Sequence, residues 1–149
     1  MAADNISPII AQVLSDSSTI NAACDGLISS GNPGNTPQDA NLEGPHETSI
    51  FVRRISKTEE GYLGSVTTGD YKYDLLIQVD VLSKASEATA FDLADKVEAL
   101  LKSTTSKLFN GATVPLHLSL ASRSPQFDDQ LGAWLEMLRF RAIGVYVSA

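Results

Sequence analysis

Charged and amide side chains recur at alternate positions of one strongly patterned segment, residues 71–82, and their types could support acid–base chemistry. Its polar members include Lys72, Asp74, Gln78 and Asp80. Asp74 and Asp80 share one face of the predicted strand, but six positions separate them, which is about 20 Å at ~3.3 Å per residue. A general acid and base acting on one bond need carboxyl groups within about 10 Å. The spacing is therefore too wide for hydrolytic chemistry at a single bond.

Arginines on other predicted strands extend this polar face. Arg139 and Arg141 lie at the polar positions of the last strand. Arg53 or Arg54 lies at a polar position of the strand that follows the acidic N-terminal part. The planar guanidinium group binds carboxylates through two parallel hydrogen bonds. Two interpretations stay open, namely cross-strand ion pairing on a wet sheet face and a mixed-charge interface with a copy of the same chain.

Motifs for other chemistry are missing from the sequence. There is no G-x-x-x-x-G-K-[ST] or G-x-G-x-x-G phosphate loop and no G-x-S-x-G nucleophile elbow. His46, His117 and Cys24 do not stand at metal-ligand spacing. We expect no catalytic, cofactor or metal site, and Cys24 and His117 are predicted to be a buried thiol and a solvated strand residue. A scattered active site stays open, because triads assemble from distant positions.

Composition predicts one domain, residues 1–149, with a sizeable core. The chain has 149 residues, 43% of them hydrophobic, and a net charge of −7. The first 52 residues contain six acidic residues and no Lys or Arg, as expected of a solvated surface or of a patch for a basic partner. This balance argues against affinity gained by neutralising phosphates. No apolar stretch approaches a membrane span and no signal peptide is evident, so we expect use in the cytoplasm.

Apolar spacing predicts the order of the elements. A helix, whole or in two pieces, is expected from Ser7 to about Ala23, followed by a long polar loop at about 29–49. A strand at 50–55, a turn-rich tip and the strand at 71–82 then form a hairpin. A second helix begins at Ser86 and is ended by Asn110-Gly111, with Phe91 and Leu108 on its buried face.

Two further strands complete the predicted sheet. They cover residues 114–122 and 134–147, joined by a polar, turn-like connection. Near its end the last strand is apolar at both parities, which predicts cover on both faces or a bulge at Gly144. The predicted fold class is α+β, an antiparallel four-stranded sheet from two β-hairpins with helices packed on it, in the order α-β-β-α-β-β.

Three segments carry a family resemblance. The strand GDYKYDLLIQVDVLS, the helix SEATAFDLADKVEALLKS and the closing strand EMLRFRAIGVYV together resemble the tail terminator, or tail completion, proteins of long-tailed (siphovirus-like) bacteriophages. The resemblance covers roughly residues 50–147, and the N-terminal helix also fits that family.

The resemblance implies a virion protein of the tail and neck, assembled in the host cytoplasm, that catalyses no reaction and holds no cofactor. Its expected partners are further copies of itself in a ring, usually six, the tail tube protein and a head–tail connector protein. DNA passes through the lumen without specific binding, and no membrane is involved. The candidates for the subunit interface are Arg139, Arg141, Asp74 and Asp80.

Two other functions stay open on the sequence. One is another neck or connector protein of the same virus, at a different level of the head-to-tail axis. The other is a small cytoplasmic ligand-binding domain or enzyme, which would need a concave pocket with convergent polar groups.

Overall fold

A computed structural model describes residues 6–31, 47–62 and 70–147, with the backbone alone for 57–62, 70–73, 112 and 143–147. The elements, in chain order, are α1 (Ile6–Asp16), α2 (Ser18–Ala23), β1 (Ile28–Gly31), β2 (Thr48–Tyr62), β3 (Asp70–Ser83), α3 (Glu87–Ser103), β4 (Ser106–Phe109), β5 (Ala112–Pro115), β6 (Leu118–Asp128) and β7 (Ala133–Val147).

The predicted N-terminal helix consists of two pieces. The break falls at Ser17, whose side chain caps α2 by accepting a hydrogen bond from the backbone N–H of Ile20 at 3.4 Å. Helix α1 begins at Ile6, so Ser7 lies buried inside the first turn rather than capping it. Serine competes for backbone hydrogen bonds in a helix interior, which explains why the serine-rich middle ends α1.

Helix α3 begins where the sequence predicts and ends earlier. The Ser86 hydroxyl accepts a hydrogen bond from the N–H of Thr89 at 3.0 Å. At the other end both the hydroxyl and the N–H of Thr104 bond to the carbonyl of Leu100, at 2.7 and 3.0 Å. The chain then leaves the helix. The prediction that the helix continues to Asn110-Gly111 was therefore wrong.

Asn110-Gly111 instead forms the turn of the β4–β5 hairpin, with φ of 50° and 80°. Positive φ at both central residues is the geometry of a two-residue hairpin turn, which Asn-Gly favours as strongly as a helix end. Leu108, expected on the buried helix face, lies on this hairpin with 66% of its surface exposed. Phe91 is also half exposed, although it was expected on the buried face of the helix.

The main sheet is mixed and has five strands in the order β1-β2-β3-β7-β6. Strands β2, β3, β7 and β6 are antiparallel neighbours, as predicted. The expectation of four strands was wrong, because β1 joins β2 in parallel at the edge. Its Ser29-Ser30-Gly31 run lies inside the predicted polar loop and has no apolar alternation, so tertiary pairing decides its conformation. The rest of that loop, residues 32–46, and the hairpin tip at 63–69 lie outside the described residues.

The prediction of one strand over residues 114–122 was wrong, because this segment is divided between β5 and β6 and β6 extends through the expected turn to Asp128. Strand β6 is an edge strand with most side chains exposed, so its sequence lacks the alternation that marks a half-buried strand. The turn follows, where Asp128 Oδ1 accepts the N–H groups of Gln130 and Leu131 at 3.0 Å each. The β3–β7 pairing continues through Gly144 without a register shift, so the predicted bulge is not there. The other prediction, that both faces of this part of β7 are covered, depends on the side chains of residues 143–147, which lie outside the described set.

The helices and the sheet enclose one large apolar cluster. Residues paired across the ladders share a face, and those of the inner face pack against all three helices. The main-sheet residues of this cluster are Ile50, Val52, Leu75, Ile77, Val79, Val81, Leu118, Leu138, Phe140 and Ala142. The opposite side of the sheet, here called the outer face, carries the polar row.

Truncating a core leucine of α3 should destabilise the fold far more than truncating an exposed one. Leu101 is fully buried, so Leu101→Ala should lower the free energy of unfolding by about 2–5 kcal/mol. Leu108→Ala, the same change at an exposed site, should stay within about 0.5 kcal/mol. Urea unfolding measures both. Equal effects would contradict the placement of α3 on the sheet.

Candidate interaction surface

The structure brings the four interface candidates onto the outer face. Gln78 stands opposite Arg53 on β2 and opposite Arg139 on β7. Asp74, Asp80 and Arg141 share this parity on their strands. Of the two possible arginines of β2, Arg53 belongs to this face, since Arg54 pairs with the inner-face residue Ile77.

Arg141 and Asp74 form a two-point ion pair between β7 and β3. The Arg141 Nε lies 3.2 Å from Asp74 Oδ1, and the Nη2 contacts Asp74 Oδ2. Nearly half of the Arg141 side chain, 49%, is exposed. An ion pair in water contributes only about 0–1 kcal/mol to stability, so this pair can exchange partners at little cost. Within the single chain, this contact corresponds to the first of the two interpretations, cross-strand ion pairing.

Asp80 lies at the centre of a buried network. Gln78 Nε2 donates to Asp80 Oδ1 at 2.7 Å, and Gln78 Oε1 accepts from Arg139 Nε at 3.0 Å. The second carboxylate oxygen, Oδ2, is 3.8 Å from Arg53 Nε. Asp80 has no exposed surface and Gln78 has 1%. The interpretation of a wet sheet face therefore does not hold at these two residues, whereas Arg139 and Arg141 are exposed.

Burial shifts the pKa of Asp80. It raises the pKa of this carboxyl above the ordinary aspartate value, although the Gln78 hydrogen bond and the charges of Arg53 and Arg139 act in the opposite direction. Asp80 cannot touch a partner directly. It acts on the surface by holding Gln78, which in turn orients the exposed Arg139.

An apolar cluster adjoins the polar row on the outer face. Its buried members are Phe51, Leu82, Ala133 and Leu135, with Leu131 and Met137 packed against them. None of the described helices contributes to it. The sequence carries a signal for it, because Phe51 and Leu82 are large apolar residues at the polar parity of their strands.

A second surface lies on the helix side of the sheet and was missed from the sequence. We call it the aromatic groove: a cavity of about 400 Å³ lined by Glu87, Phe91, Arg123, Pro125 and Glu136. On the same side of β6 and β7, Phe127 meets Trp134 edge to face, with ring centroids 4.8 Å apart. The groove was missed because residues 121–133 read as a polar connection.

Arg123 fixes the wall of the groove. Its guanidinium lies 4.6 Å from the centroid of the Phe91 ring. Its carboxylate partners are Asp95 at 2.6 Å, Glu136 at 3.3 Å and Glu98 at 3.4 Å. These contacts join α3 to β6 and β7, so Phe91 is held in place although it is exposed.

The two described residues that were considered for other chemistry, His117 and Cys24, lie in different environments. His117 is exposed in the segment between β5 and β6, not within a strand as expected, and His46 lies outside the described residues. Cys24 is buried and its thiol donates to the carbonyl of Ile20 at 3.2 Å. Burial raises the pKa of this thiol, which makes it a poor nucleophile.

The described part of the chain holds neither a cluster of metal ligands nor a membrane-spanning helix. Residues 6–31, 47–62 and 70–147 contain no cluster of three or more His, Cys, Asp or Glu side chains suited to a metal ion. Within the same ranges, no helix has the length and apolar character needed to cross a bilayer.

Comparison with known proteins gives a likeness in structure. The fold is shared with a virion chain. That chain belongs to a solved structure described as the virion of a native gene transfer agent particle. The two are 17% identical, with a TM-score of 0.60 over 98% of this chain and 100% of the other. A second solved chain, named only by a sequence identifier, is 15% identical with a TM-score of 0.52 over 99% of each. No family model and no curated protein matches the sequence.

Replacing the Asp80 carboxylate should change how stability depends on pH. Because the folded-state pKa is raised, the folded protein holds more protons than the unfolded chain between the ordinary aspartate pKa, about 3.9, and the raised value. The free energy of unfolding therefore falls as the pH rises through that window. Asp80→Asn removes this pH-dependent loss. The free energy of unfolding of the variant, relative to that of the wild type, should therefore increase as the pH rises.

Urea unfolding across this pH range measures the effect, with the exposed Asp129→Asn as the matched control. The difference between variant and wild type should rise with pH more steeply for Asp80→Asn than for the control. Parallel curves would contradict the burial of the Asp80 charge.

Proposed function

We propose that this protein is a structural subunit of a phage-like virion. The observation that carries the proposal is the fold, which matches a virion chain of a gene transfer agent over essentially the full length of both chains. The resemblance of β3, α3 and β7 to tail terminator proteins supports it from the sequence.

Within the virion, the proposed role is that of a tail terminator. Copies of the chain, six in the expected ring, cap the finished tail tube and join it to the head through a connector protein. The protein catalyses no reaction. Ring closure needs contacts between unlike surfaces of successive subunits. DNA passes through the lumen without being tightly bound, which is consistent with a net charge of −7.

The outer face supplies charged groups for such contacts. Arg139 and Arg141 are exposed, and the carboxylate of Asp74 stands beside Arg141. A carboxylate of a neighbouring subunit can take the place of Asp74, because guanidinium groups bind two oxygens with fixed geometry. Asp80 supports this surface as a positioning residue through Gln78.

A neck or connector protein of the same particle is the second candidate. The likeness to a virion chain favours it equally, since that likeness gives no level along the head-to-tail axis. Cross-linking to the portal side without contact to the tube would select it over the terminator.

Reversing the charge of Arg139 or Arg141 should weaken capping of tail tubes. The experiment adds purified protein to tubes that lack a terminator and counts capped ends by electron microscopy. Loss of one interfacial charge partner costs about 2–5 kcal/mol, so Arg139→Glu and Arg141→Glu should each weaken the contact between subunits more than about tenfold, and fewer tube ends should be capped.

Lys96→Glu, on the exposed side of α3, makes the same charge change away from the outer face. It should cap tubes as the wild type does. Melting curves exclude unfolding as the cause of any loss. A wild-type protein that leaves tube ends open would contradict the terminator role, and equal capping by all variants would contradict the role of the two arginines.

A further inference from the structure

The β4–β5 hairpin projects a small apolar surface. Its outward side consists of Ser106, Leu108, Thr113 and Pro115, which pair across the two strands and are all exposed. Leu108 has 66% of its surface in water, the largest value among the described large apolar residues. We call this side the hairpin knob.

The knob is held rigidly against the body of the protein. On the other side of the hairpin Val114 is buried and Phe109 packs against the main core. Lys107 forms an ion pair with Asp16 at the end of α1. The N–H of Leu116, which follows the hairpin, donates to the carbonyl of Thr105 at 2.8 Å. Leu108 is thus presented without a large ordering cost on binding.

The aromatic groove is the complementary feature. Phe91 and Phe127 expose 48% and 44% of their surfaces, the largest values after Leu108 among the described large apolar residues. Phe91 lines the 400 Å³ cavity, which is larger than one aliphatic side chain, and Phe127 lies two positions after the lining residue Pro125 on β6. An exposed aromatic ring that is held in place beside a cavity is typical of sites that receive an apolar anchor.

A bound segment would reach the groove by side chains rather than as an added strand. Strand β6 forms the adjacent sheet edge, and Pro125 removes a hydrogen-bond donor from it. A register shift between Leu120 and Ser122 further distorts the strand. Proline and bulges are the devices that keep edge strands from pairing with other chains.

Charge permits contact between the groove end and the hairpin end. Glu87 lines the groove and Asp92 follows on the exposed side of α3, whereas Asp95 is paired with Arg123. Lys102 in the last turn of α3 is paired with Glu98, and Lys107 on the hairpin is paired with Asp16. The hairpin end therefore has no excess of acidic charge that would repel the acidic groove end, as a like-charged surface would.

We propose that the hairpin knob of one copy of this chain docks in the aromatic groove of the next copy. The two surfaces lie toward opposite ends of α3, whose 17 residues span about 25 Å. Each copy can use both at once, so the contact is head to tail and closes a ring when the rotation permits. This inference rests on the proposed ring and adds a contact distinct from the outer face.

Disulfide trapping between two variants, each with one added cysteine, tests the contact. Thr113→Cys lies beside Leu108 on the knob, and Glu87→Cys lies on the groove, so neither change removes Leu108 or the aromatic rings. An oxidised mixture of the two proteins at high concentration should form the mixed dimer in several-fold higher yield than Thr113→Cys mixed with Ser18→Cys, an exposed site on α2. Cys24 is buried and stays out of the reaction.

Adding Leu108→Glu to the Thr113→Cys chain should reduce the yield of the mixed dimer to that of the control. Absent trapping, or equal trapping in both mixtures, overturns the proposal. Tube capping is scored separately with the wild type. Capping without trapping rejects only this contact, and trapping without capping rejects only the terminator role.

Discussion

The inner row of β3 must be kept from water, and the rest of the fold follows from that constraint. Leu75, Ile77, Val79 and Val81 have no exposed surface, and burying each such side chain contributes roughly 1.5–3 kcal/mol. Strands β2 and β7 flank β3 on its two sides, and the three helices cover the row from one face. Because every described helix packs on that side, the outer face presents its arginines and the groove opens at the helix-side edge of the sheet.

The parts of the fold that face both water and the core were predictable. Strand β3 and helix α3 each alternate between the two environments, so their periods of 2 and 3.6 residues are visible in the sequence. Strand β1 and the second half of β6 lie at the edges and bury little, which leaves no period to detect. The end of α3 was misjudged because Asn110-Gly111 serves helix ends and hairpin turns equally well.

The candidate surface was predictable in part for the same reason. Parity along β3 and β7 places Asp74, Asp80, Arg139 and Arg141 on one face, since paired residues of a ladder point the same way. The face on which a strand residue lies does not, however, predict how deeply its side chain is buried. Asp80 is buried while Arg141 is half exposed, and that difference depends on tertiary packing. The aromatic groove depends on contacts between α3 and β6 that are distant in sequence, such as Arg123 with Asp95.

The central claim is that this chain is part of a phage-like particle at the junction of tail and head. Electron microscopy of a lysate from the source cells, with a gold-labelled antibody against the chain, tests it most directly. The account predicts gold at that junction on tailed particles. Diffuse gold that marks no particle would contradict it, and would turn attention to ligand binding by an α+β domain of another kind.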